Sequence, residues 1–220
     1  MHLLSGWLYN LRRFTIMSIS PSDEGLNPLD KQNVVVVEEA PPSTARRVLL
    51  EIIETIVLAL VLFTAINFLT ARIRVDGSSM EPNFHDGDYV IVNRMAYRLG
   101  DIQRGDVIVF PYPLHEEDDY IKRVIGLPGD HVAIYSGVVY LNGEPLTEPY
   151  IMEKPDTDLA ETVIPDGYVY VMGDNRNASS DSRSWGPLEI EKIIGKAVFR
   201  YWPFSTMGLI DHPDLVVSSP

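Results

Sequence analysis

The longest apolar stretch of this sequence is Val48–Ala71. As a helix it would measure about 36 Å, which exceeds the roughly 30 Å hydrocarbon thickness of a bilayer. Its last 17 residues carry no charge, and within Ile56–Phe68 the polar side chains are Thr64 and Asn67. The alternative is a helix that packs against the core of a soluble domain, and such a helix usually keeps a polar face toward solvent. The pattern therefore predicts a single transmembrane helix over 46–72.

Beyond Val75 the pattern changes to short runs of apolar and β-branched residues separated by turn residues. Such runs are typical of β-strands, and Ser136-Gly137 indicates a tight hairpin. No helix-length amphipathic segment separates the runs, so we predict a mainly β fold, an antiparallel β-sheet domain over 73–220 behind the N-terminal helix. The clearest predicted strands are DYVIVN (88–93), DVIVF (106–110), HVAIY (131–135) and VVYLN (138–142).

The residues before the helix, 1–45, contain no convincing folded unit, and after Met17 they are rich in Ser, Pro, Asp, Glu and Asn. This composition predicts a disordered tail, and Met17 is a second possible start. Five Lys and Arg residues precede the helix, whereas Arg72 and Arg74 follow it closely. The basic excess predicts a cytoplasmic N-terminus and a large domain on the outer face of the cell membrane.

The net charge of the chain is −13, and residues 75–220 hold 24 Asp and Glu against 11 Lys and Arg. A net-acidic domain lacks the basic footprint that binds phosphates, so we expect no nucleic acid among its partners. The sequence contains no cysteine, which excludes disulfides, cysteine nucleophiles and thiolate metal sites. The acidic clusters HEEDD (115–119) and DTDLAE (156–161) lack metal-ligand spacing, so no metal is expected.

Four segments after the helix concentrate hydroxyl, amide and charged side chains. They are VDGSSMEPNFHDGDYV (75–90), RGDVIVF (104–110), YIKRVIGLPGD (120–130) and GDNRNASSDSRSWGPL (173–188). The first places Ser79 in a turn, and the third places Lys122 on a strand. A serine attacks a carbonyl only when a base takes its proton. A lysine does this near neutral pH if burial lowers its pKa by about 2–3 units, so the pair predicts a Ser/Lys hydrolase.

In this order behind an apolar helix, the four segments resemble the type I signal peptidases over about residues 47–204. The resemblance rests on S-M-x-P, R-G-D-V, Y-I-K-R-x-x-G-L-P-G-D and G-D-N-R-x-x-S-x-D-S-R taken together. It implies a membrane-bound serine endopeptidase, without a cofactor, that removes signal peptides from exported preproteins. It also implies Ser79 as the nucleophile, Lys122 as the general base and Ser179 as the hydroxyl that orients the lysine.

The resemblance further implies two ion pairs that hold the fourth segment against the active site. Asp174 would pair with Arg123, and Asp181 with Arg183. These carboxylates are expected to be structural partners rather than members of a catalytic triad.

The turn around the nucleophile departs from the family pattern. Some relatives carry a serine two residues before the nucleophile whose hydroxyl helps to bind the oxyanion, and this chain has Gly77 there. The oxyanion would then depend on the Ser79 N–H and a backbone or water donor, each worth about 3 kcal/mol. Ser78 is not expected to be catalytic, and Asn83 replaces a commoner threonine.

Substrates of the family present small residues at the first and third positions before the scissile bond. The resemblance implies an extended peptide along the strand edge near Asp76–Met80, with alternate side chains pointing into shallow pockets. Tyr112, Trp202 and Phe204 are candidates for resting the domain on the lipid bilayer. The expected pocket residues are Val75, Asp76, Met80, Phe84, Tyr120 and Ile121, and ordinary core packing is the alternative for the apolar ones.

Three other interpretations are open at this stage. A self-cleaving Ser/Lys protease of the SOS-repressor type shares the β fold, but it would need a DNA-binding or regulatory segment where this chain has a tail and a helix. A non-catalytic, membrane-tethered β scaffold would need neither Ser79 nor Lys122. A Ser/His/Asp triad would need one of the five histidines, which are His2, His85, His115, His131 and His212.

Overall fold

The structure, a computed structural model, describes residues 44–215 of the 220-residue chain. The predicted tail therefore lies outside the described residues, apart from Thr44 and Ala45. The apolar segment forms helix α1 (Thr44–Leu69), which contains no buried residue. Within the described residues it is the one helix that is long and apolar enough to cross a membrane. Each of its residues is exposed, which contradicts the alternative of a core helix.

The chain leaves the helix earlier than the apolar pattern predicts. Thr70–Arg74 form strand β1, so the prediction that the helix extends to residue 72 is wrong. This segment pairs antiparallel with β2 (Tyr89–Asn93) along its whole length, from Thr70 opposite Asn93 to Arg74 opposite Tyr89. The composition of this segment does not reveal the change from helix to strand, because the change depends on pairing with β2, about 20 residues further along the chain.

All strand pairings are antiparallel. After β1 and β2 the strands are β3 (Val107–Tyr112), β4 (His115–Gly126), β5 (His131–Tyr135), β6 (Val138–Leu141), β7 (Glu144–Pro145), β8 (Leu159–Val163), β9 (Tyr168–Met172), β10 (Leu188–Glu189), β11 (Gly195–Trp202) and β12 (Gly208–Leu209). Two short helices are α2 (Ala96–Leu99) and α3 (Ser182–Trp185), and single 3₁₀ turns occur at Ile190–Lys192 and Phe204–Thr206.

The strands form two sheets, which confirms the mainly β, antiparallel fold. The larger sheet has the order β1-β2-β11-β3-β4-β9-β10, with β12 paired to β11, and the smaller has the order β7-β6-β5-β8. The predicted Ser136-Gly137 turn joins β5 to β6, with φ of 51° and 75°, as a two-residue hairpin requires. β1 is an edge strand, so its second side is not paired within the sheet.

The core of the larger sheet lies beneath the segments that carry the candidate site. In β4 the first half, from His115 to Asp119, is exposed, whereas Ile121–Gly126 is buried. The alternation of β2 buries Val90 and Val92. These two valines belong to a core cluster that also contains Val75, Met80, Phe84, Val107, Val109, Ile121 and Ala197.

Candidate active site

Ser79 and Lys122 lie in direct hydrogen-bonding contact, although 43 residues separate them in the sequence. Nζ of Lys122 donates to Oγ of Ser79 at 2.8 Å and to the carbonyl oxygen of Ile121 at 2.8 Å. Ser79 belongs to the turn after β1, and Lys122 projects from the buried half of β4. The fold therefore joins a hydroxyl to an amine, as a nucleophile and its base require.

The surroundings of Lys122 lower the pKa of its amine. The residue is only 3% exposed. Desolvation lowers the pKa of its ammonium group from 10.5 to about 8, while the charges of Asp181 and Asp174 oppose that change. The ring of Tyr120 lies 4.8 Å from Nζ, and Tyr112 stacks on this ring at a centroid distance of 4.2 Å. Part of the lysine population is therefore neutral near pH 7 and able to accept a proton.

The turn around Ser79, called the nucleophile turn after the role expected of Ser79, is held by a residue that sequence reasoning missed. The backbone N–H of Asn175 donates to the carbonyl oxygen of Ser79 at 3.0 Å, and its Nδ2 donates to the carbonyl oxygen of Ser78 at 3.1 Å. The N–H of Gly77 donates to Oδ1 of Asp86 at 3.0 Å, and its φ of +84° favours glycine at this position. The sequence signal for Asn175 was its place in the G-D-N-R motif.

The two expected ion pairs are present. Nε and Nη2 of Arg123 donate to the two carboxylate oxygens of Asp174, each at 2.8 Å, and both side chains are fully or almost fully buried. Nε and Nη2 of Arg183 donate to Asp181 at 2.8 and 2.7 Å. Asp181 also accepts from the N–H of Gly173 at 3.0 Å. The segment from Gly173 to Arg183 is therefore stabilised by internal hydrogen bonds through Asp181 and is held against β4 by the Arg123–Asp174 ion pair.

Asn83 joins the nucleophile turn to the same segment. Its Nδ2 donates to Oδ2 of Asp174 and to the carbonyl oxygen of Tyr150, both at 2.8 Å. A threonine hydroxyl has one proton to donate, so the commoner residue could make only one of these two bonds. Asn83 therefore connects the nucleophile turn both to Asp174 and to the 148–151 segment.

Ser179 lies close to Ser79, but its hydroxyl has no hydrogen-bond partner and is buried. The bond from Ser179 to Lys122 that the resemblance implies is therefore not formed in this structure. A Cβ placed on Gly173 would lie 2.3 Å from Oγ of Ser179 and 2.4 Å from the carbonyl oxygen of Ser79. Glycine is needed at 173 because these segments approach so closely, and the orienting role of Ser179 stays a prediction.

A cleft of about 700 Å³ opens beside the Ser79–Lys122 pair. Its two long walls are residues 72–79, which include the end of β1, and residues 117–122 of β4, and the 173–183 segment adds Ala178 and Ser180. Four of the expected pocket residues line this cleft, namely Val75, Asp76, Tyr120 and Ile121. Both walls are strand-like, so the cleft suits an extended peptide.

Met80 and Phe84 do not line the cleft, and their expected place in the pocket wall is corrected. They are 0% and 2% exposed and lie in the core of the larger sheet. The N–H of Phe84 donates to the carbonyl oxygen of Met80 at 2.9 Å, so this stretch curls like one helical turn. Residues four apart on such a turn face the same side, which here is the core.

The hydrogen bonds made by histidine rings within residues 44–215 lie away from Ser79 and Lys122. Nδ1 of His212 accepts from the N–H of Val107 at 3.2 Å, and Nδ1 of His131 lies 3.1 Å from Glu161. His85 and His115 are exposed. In the same range, no group of three or more His, Asp or Glu side chains is placed to bind a metal ion.

The site combines a hydroxyl that is hydrogen-bonded to a buried amine with a cleft lined by strands. This is the arrangement of a serine peptidase. Comparison with known proteins places the chain more narrowly. The family model described as "Signal peptidase, peptidase S26" matches residues 49–202. The chain therefore belongs to the signal peptidase family, which confirms the resemblance and makes the protein an enzyme that cleaves signal peptides.

Individual relatives agree with the family match. The chain is 41% identical over 180 residues to the probable signal peptidase I-1 of Synechocystis sp., which covers 78% of this chain and 92% of that protein. It is 37% identical over 188 residues to signal peptidase IB of Staphylococcus aureus, which covers 77% of this chain and 97% of that protein. A solved signal peptidase I from Enterococcus faecalis shares 31% identity over 44% of this chain and 97% of that chain, with a TM-score of 0.41.

Proposed function

We propose that this chain is a membrane-bound serine endopeptidase in which Ser79 attacks the scissile carbonyl and Lys122 is its general base. The observation that carries the proposal is the 2.8 Å hydrogen bond between Nζ of Lys122 and Oγ of Ser79. Burial supports it, because desolvation moves the pKa of the lysine to about 8. The open cleft beside the pair supplies room for a peptide.

Acylation starts from the neutral amine of Lys122, which accepts the hydroxyl proton while Oγ of Ser79 bonds to the carbonyl carbon. The carbonyl electrons move to oxygen, and the oxyanion lies against the Ser79 N–H. Collapse of this intermediate breaks the C–N bond, and the lysine ammonium returns its proton to the leaving amine. Water, deprotonated by the same amine, then attacks the ester carbonyl. Collapse of this second intermediate breaks the C–Oγ bond, frees the new carboxyl end of the signal peptide and returns the ammonium proton to Oγ of Ser79.

We infer the direction of the bound peptide from the order of segments that the substrate and the enzyme share. A signal peptide has an apolar segment followed by a cleavage site with small residues. The enzyme repeats this order, since α1 leads directly into β1 and then to Ser79. We therefore orient the substrate parallel to residues 72–79, with its scissile bond at Ser79, while residues 117–122 run along the opposite wall to Lys122.

Cleavage at small-x-small sites is the specificity that the cleft supports. Val75 and Ile121 line the cleft but are only 3% and 6% exposed, so they form a shallow apolar floor close to the dyad. In an extended peptide the first and third side chains before the scissile bond face the same side. Small side chains fit against this floor, whereas large ones would have to displace closely packed core residues.

The membrane arrangement is part of the same proposal. Helix α1 would anchor the chain in the cell membrane with a cytoplasmic N-terminus and the β domain outside. Trp202 and Phe204 are 46% and 71% exposed, and their rings contact each other edge-on at 4.8 Å. This apolar pair is suited to rest on the lipid bilayer, whereas Tyr112, the third candidate, is stacked against Tyr120.

The full chain in detergent, incubated with a preprotein that carries an Ala-x-Ala site, tests the proposal. The mass of the product should place its new N-terminus directly after the second alanine. Ser79→Ala and Lys122→Ala should each lower the rate by at least about a thousandfold while the circular dichroism spectrum stays unchanged. Ser78→Ala removes the adjacent hydroxyl and should still cleave. Substantial turnover by either dyad variant would refute the assignment.

A further inference from the structure

Asn175 holds two consecutive peptide groups of the nucleophile turn. Its Nδ2 donates to the carbonyl oxygen of Ser78 at 3.1 Å, and its backbone N–H donates to the carbonyl oxygen of Ser79 at 3.0 Å. These carbonyls belong to the peptide planes on either side of the Ser79 Cα. Because each peptide group is planar, anchoring both planes restricts φ and ψ of Ser79. One residue therefore sets the backbone conformation of the nucleophile.

The hydrogen bond from Asn175 to the Ser78 carbonyl also affects the direction of the Ser79 N–H, because this carbonyl and this N–H belong to the same peptide group. The 78–79 peptide is trans, since the cis bonds of the described residues are Glu81–Pro82 and Trp202–Pro203. In a trans peptide the C=O and the following N–H point in opposite directions. The Ser79 N–H must therefore point away from the side chain of Asn175.

This N–H is available to a ligand. Within residues 44–215 the Ser79 N–H donates to no protein acceptor, and Ser79 lines the cleft. A hydrogen bond to the carbonyl polarises the same amide group and strengthens its N–H as a donor. The turn thus presents an aimed and activated donor beside Oγ of Ser79.

From these contacts we propose that Asn175 is a positioning residue for the oxyanion site, which aims the Ser79 N–H by holding the Ser78 carbonyl. The inference rests on the proposed function, in which Ser79 is the nucleophile. It matters here because Gly77 supplies no side-chain hydroxyl to the oxyanion. With that hydroxyl missing, a larger share of the stabilisation depends on the direction of one backbone donor.

A matched control lies two residues away in the same loop. Oδ1 of Asn177 accepts from the N–H of Asp156 at 3.0 Å, and its Nδ2 donates to the carbonyl oxygen of Lys154 at 3.1 Å. These bonds anchor the loop to the 153–158 segment without touching the nucleophile turn. Asn177→Ala therefore removes an amide of the same size and the same loop, but leaves Ser78 and Ser79 held.

The experiment compares Asn175→Ala, Asn175→Asp and Asn177→Ala in the full chain in detergent, with Ser79→Ala beside them. We measure kcat, KM, the pH midpoint of kcat/KM and the inhibition constant of a substrate-like peptide aldehyde, which forms a tetrahedral adduct with a serine. Asn175→Ala should lower kcat by about 10- to 100-fold, less than the loss of a direct oxyanion donor. KM should stay within about twofold and the pH midpoint should not move, because the base is untouched.

The aldehyde distinguishes positioning from loop stability. Its affinity should fall in parallel with kcat in Asn175→Ala, because the adduct carries the oxyanion. Asn175→Asp keeps the shape but replaces the donor with a carboxylate, so it should lose at least as much. Asn177→Ala should change each quantity by less than about twofold, since its bonds lie outside the turn.

Two results would overturn the inference. The first is a loss in Asn175→Ala that appears in KM or in the pH midpoint, or that Asn177→Ala reproduces. In that case cleavage by the wild type and its loss in Ser79→Ala would leave the proposed function standing. The second is full activity of Ser79→Ala, which would remove the proposed function and the inference together.

Discussion

The two faces of β4 carry neighbouring buried cations in opposite circumstances. Lys122 and Arg123 are 3% and 2% exposed, and they point to opposite sides of the strand. Arg123 donates to both oxygens of Asp174 and to the carbonyl oxygen of Gly105, each at 2.8 Å. Within the described residues, Lys122 donates hydrogen bonds only to neutral oxygens, those of the Ser79 hydroxyl and of the Ile121 carbonyl.

This contrast indicates that the hydrogen-bond partner, rather than the depth of burial, decides whether a buried cationic side chain can lose its proton. Desolvation lowers the pKa of Lys122 to about 8, and the carboxylates of Asp174 and Asp181 act on it only at a distance. Arg123 has a bidentate partner and a guanidinium group that does not deprotonate in proteins. One face of the strand therefore keeps a fixed charge, and the other keeps a charge that can be removed.

Exchanging the type of cation gives the largest expected effect. Lys122→Arg should lower kcat/KM by at least about a thousandfold, because arginine cannot become a neutral base. Arg123→Lys keeps a charge opposite Asp174 and should stay within about tenfold of wild type. Both rates are measured with the full chain and a preprotein substrate. Comparable losses in the two variants would contradict the division between the faces.

Removing the fixed cation should affect stability more than chemistry. Arg123→Met leaves the carboxylate of Asp174, which is 0% exposed, without its partner, and a broken buried pair typically costs about 3–5 kcal/mol. Thermal unfolding of the full chain in detergent measures this loss. The double variant Arg123→Met with Asp174→Asn is the control, since it removes both charges and should recover part of the stability. Unchanged unfolding in the single variant would show that the pair contributes little.

The pairing of Ser79 with Lys122, whose catalytic roles stay a prediction, could be predicted because its signals are local and chemical. S-M-x-P and Y-I-K-R mark Ser79 and Lys122 within a few residues, and the alternation along β4 predicts which face Lys122 occupies. The mainly β fold followed from run length and turn residues in the same way. The fold and the dyad positions are therefore encoded in short windows, and the comparisons confirm the family that those windows indicate.

The sequence could not predict features that depend on long-range contact. Asn175 acts on Ser78 across 97 residues, and nothing in the G-D-N-R motif indicates which backbone it meets. Met80 and Phe84 were expected at the pocket because they are apolar and close to Ser79 in the sequence, but the curled backbone directs both into the core. The helix ends at Leu69 because β1 pairs with β2, which is again a contact between distant segments.

The smallest expected effect is on the free energy of unfolding, which the buried charge of Lys122 lowers. Well below pH 8 the lysine is protonated in both the folded and the unfolded chain, and the folded state carries the whole desolvation penalty. A pKa difference between 10.5 and about 8 corresponds to about 3 kcal/mol. Between these values the unfolded chain holds the proton and the folded chain does not, so wild-type stability rises with pH. Above about 10.5 both states are neutral and this penalty is absent.

Lys122→Met removes the buried amine and should therefore unfold at a higher temperature than wild type below pH 8. The gain should shrink as the pH rises from about 8 to about 10.5, because the wild type is relieved of its penalty over that range. Thermal unfolding of the full chain in detergent across this range measures the difference. Ser79→Ala keeps the lysine and should follow the wild-type pH dependence. The contrary result would be a stability difference between Lys122→Met and wild type that is the same at pH 7 and at pH 10.5. It would mean that the lysine is not desolvated and that the two faces of β4 differ less than their contacts indicate.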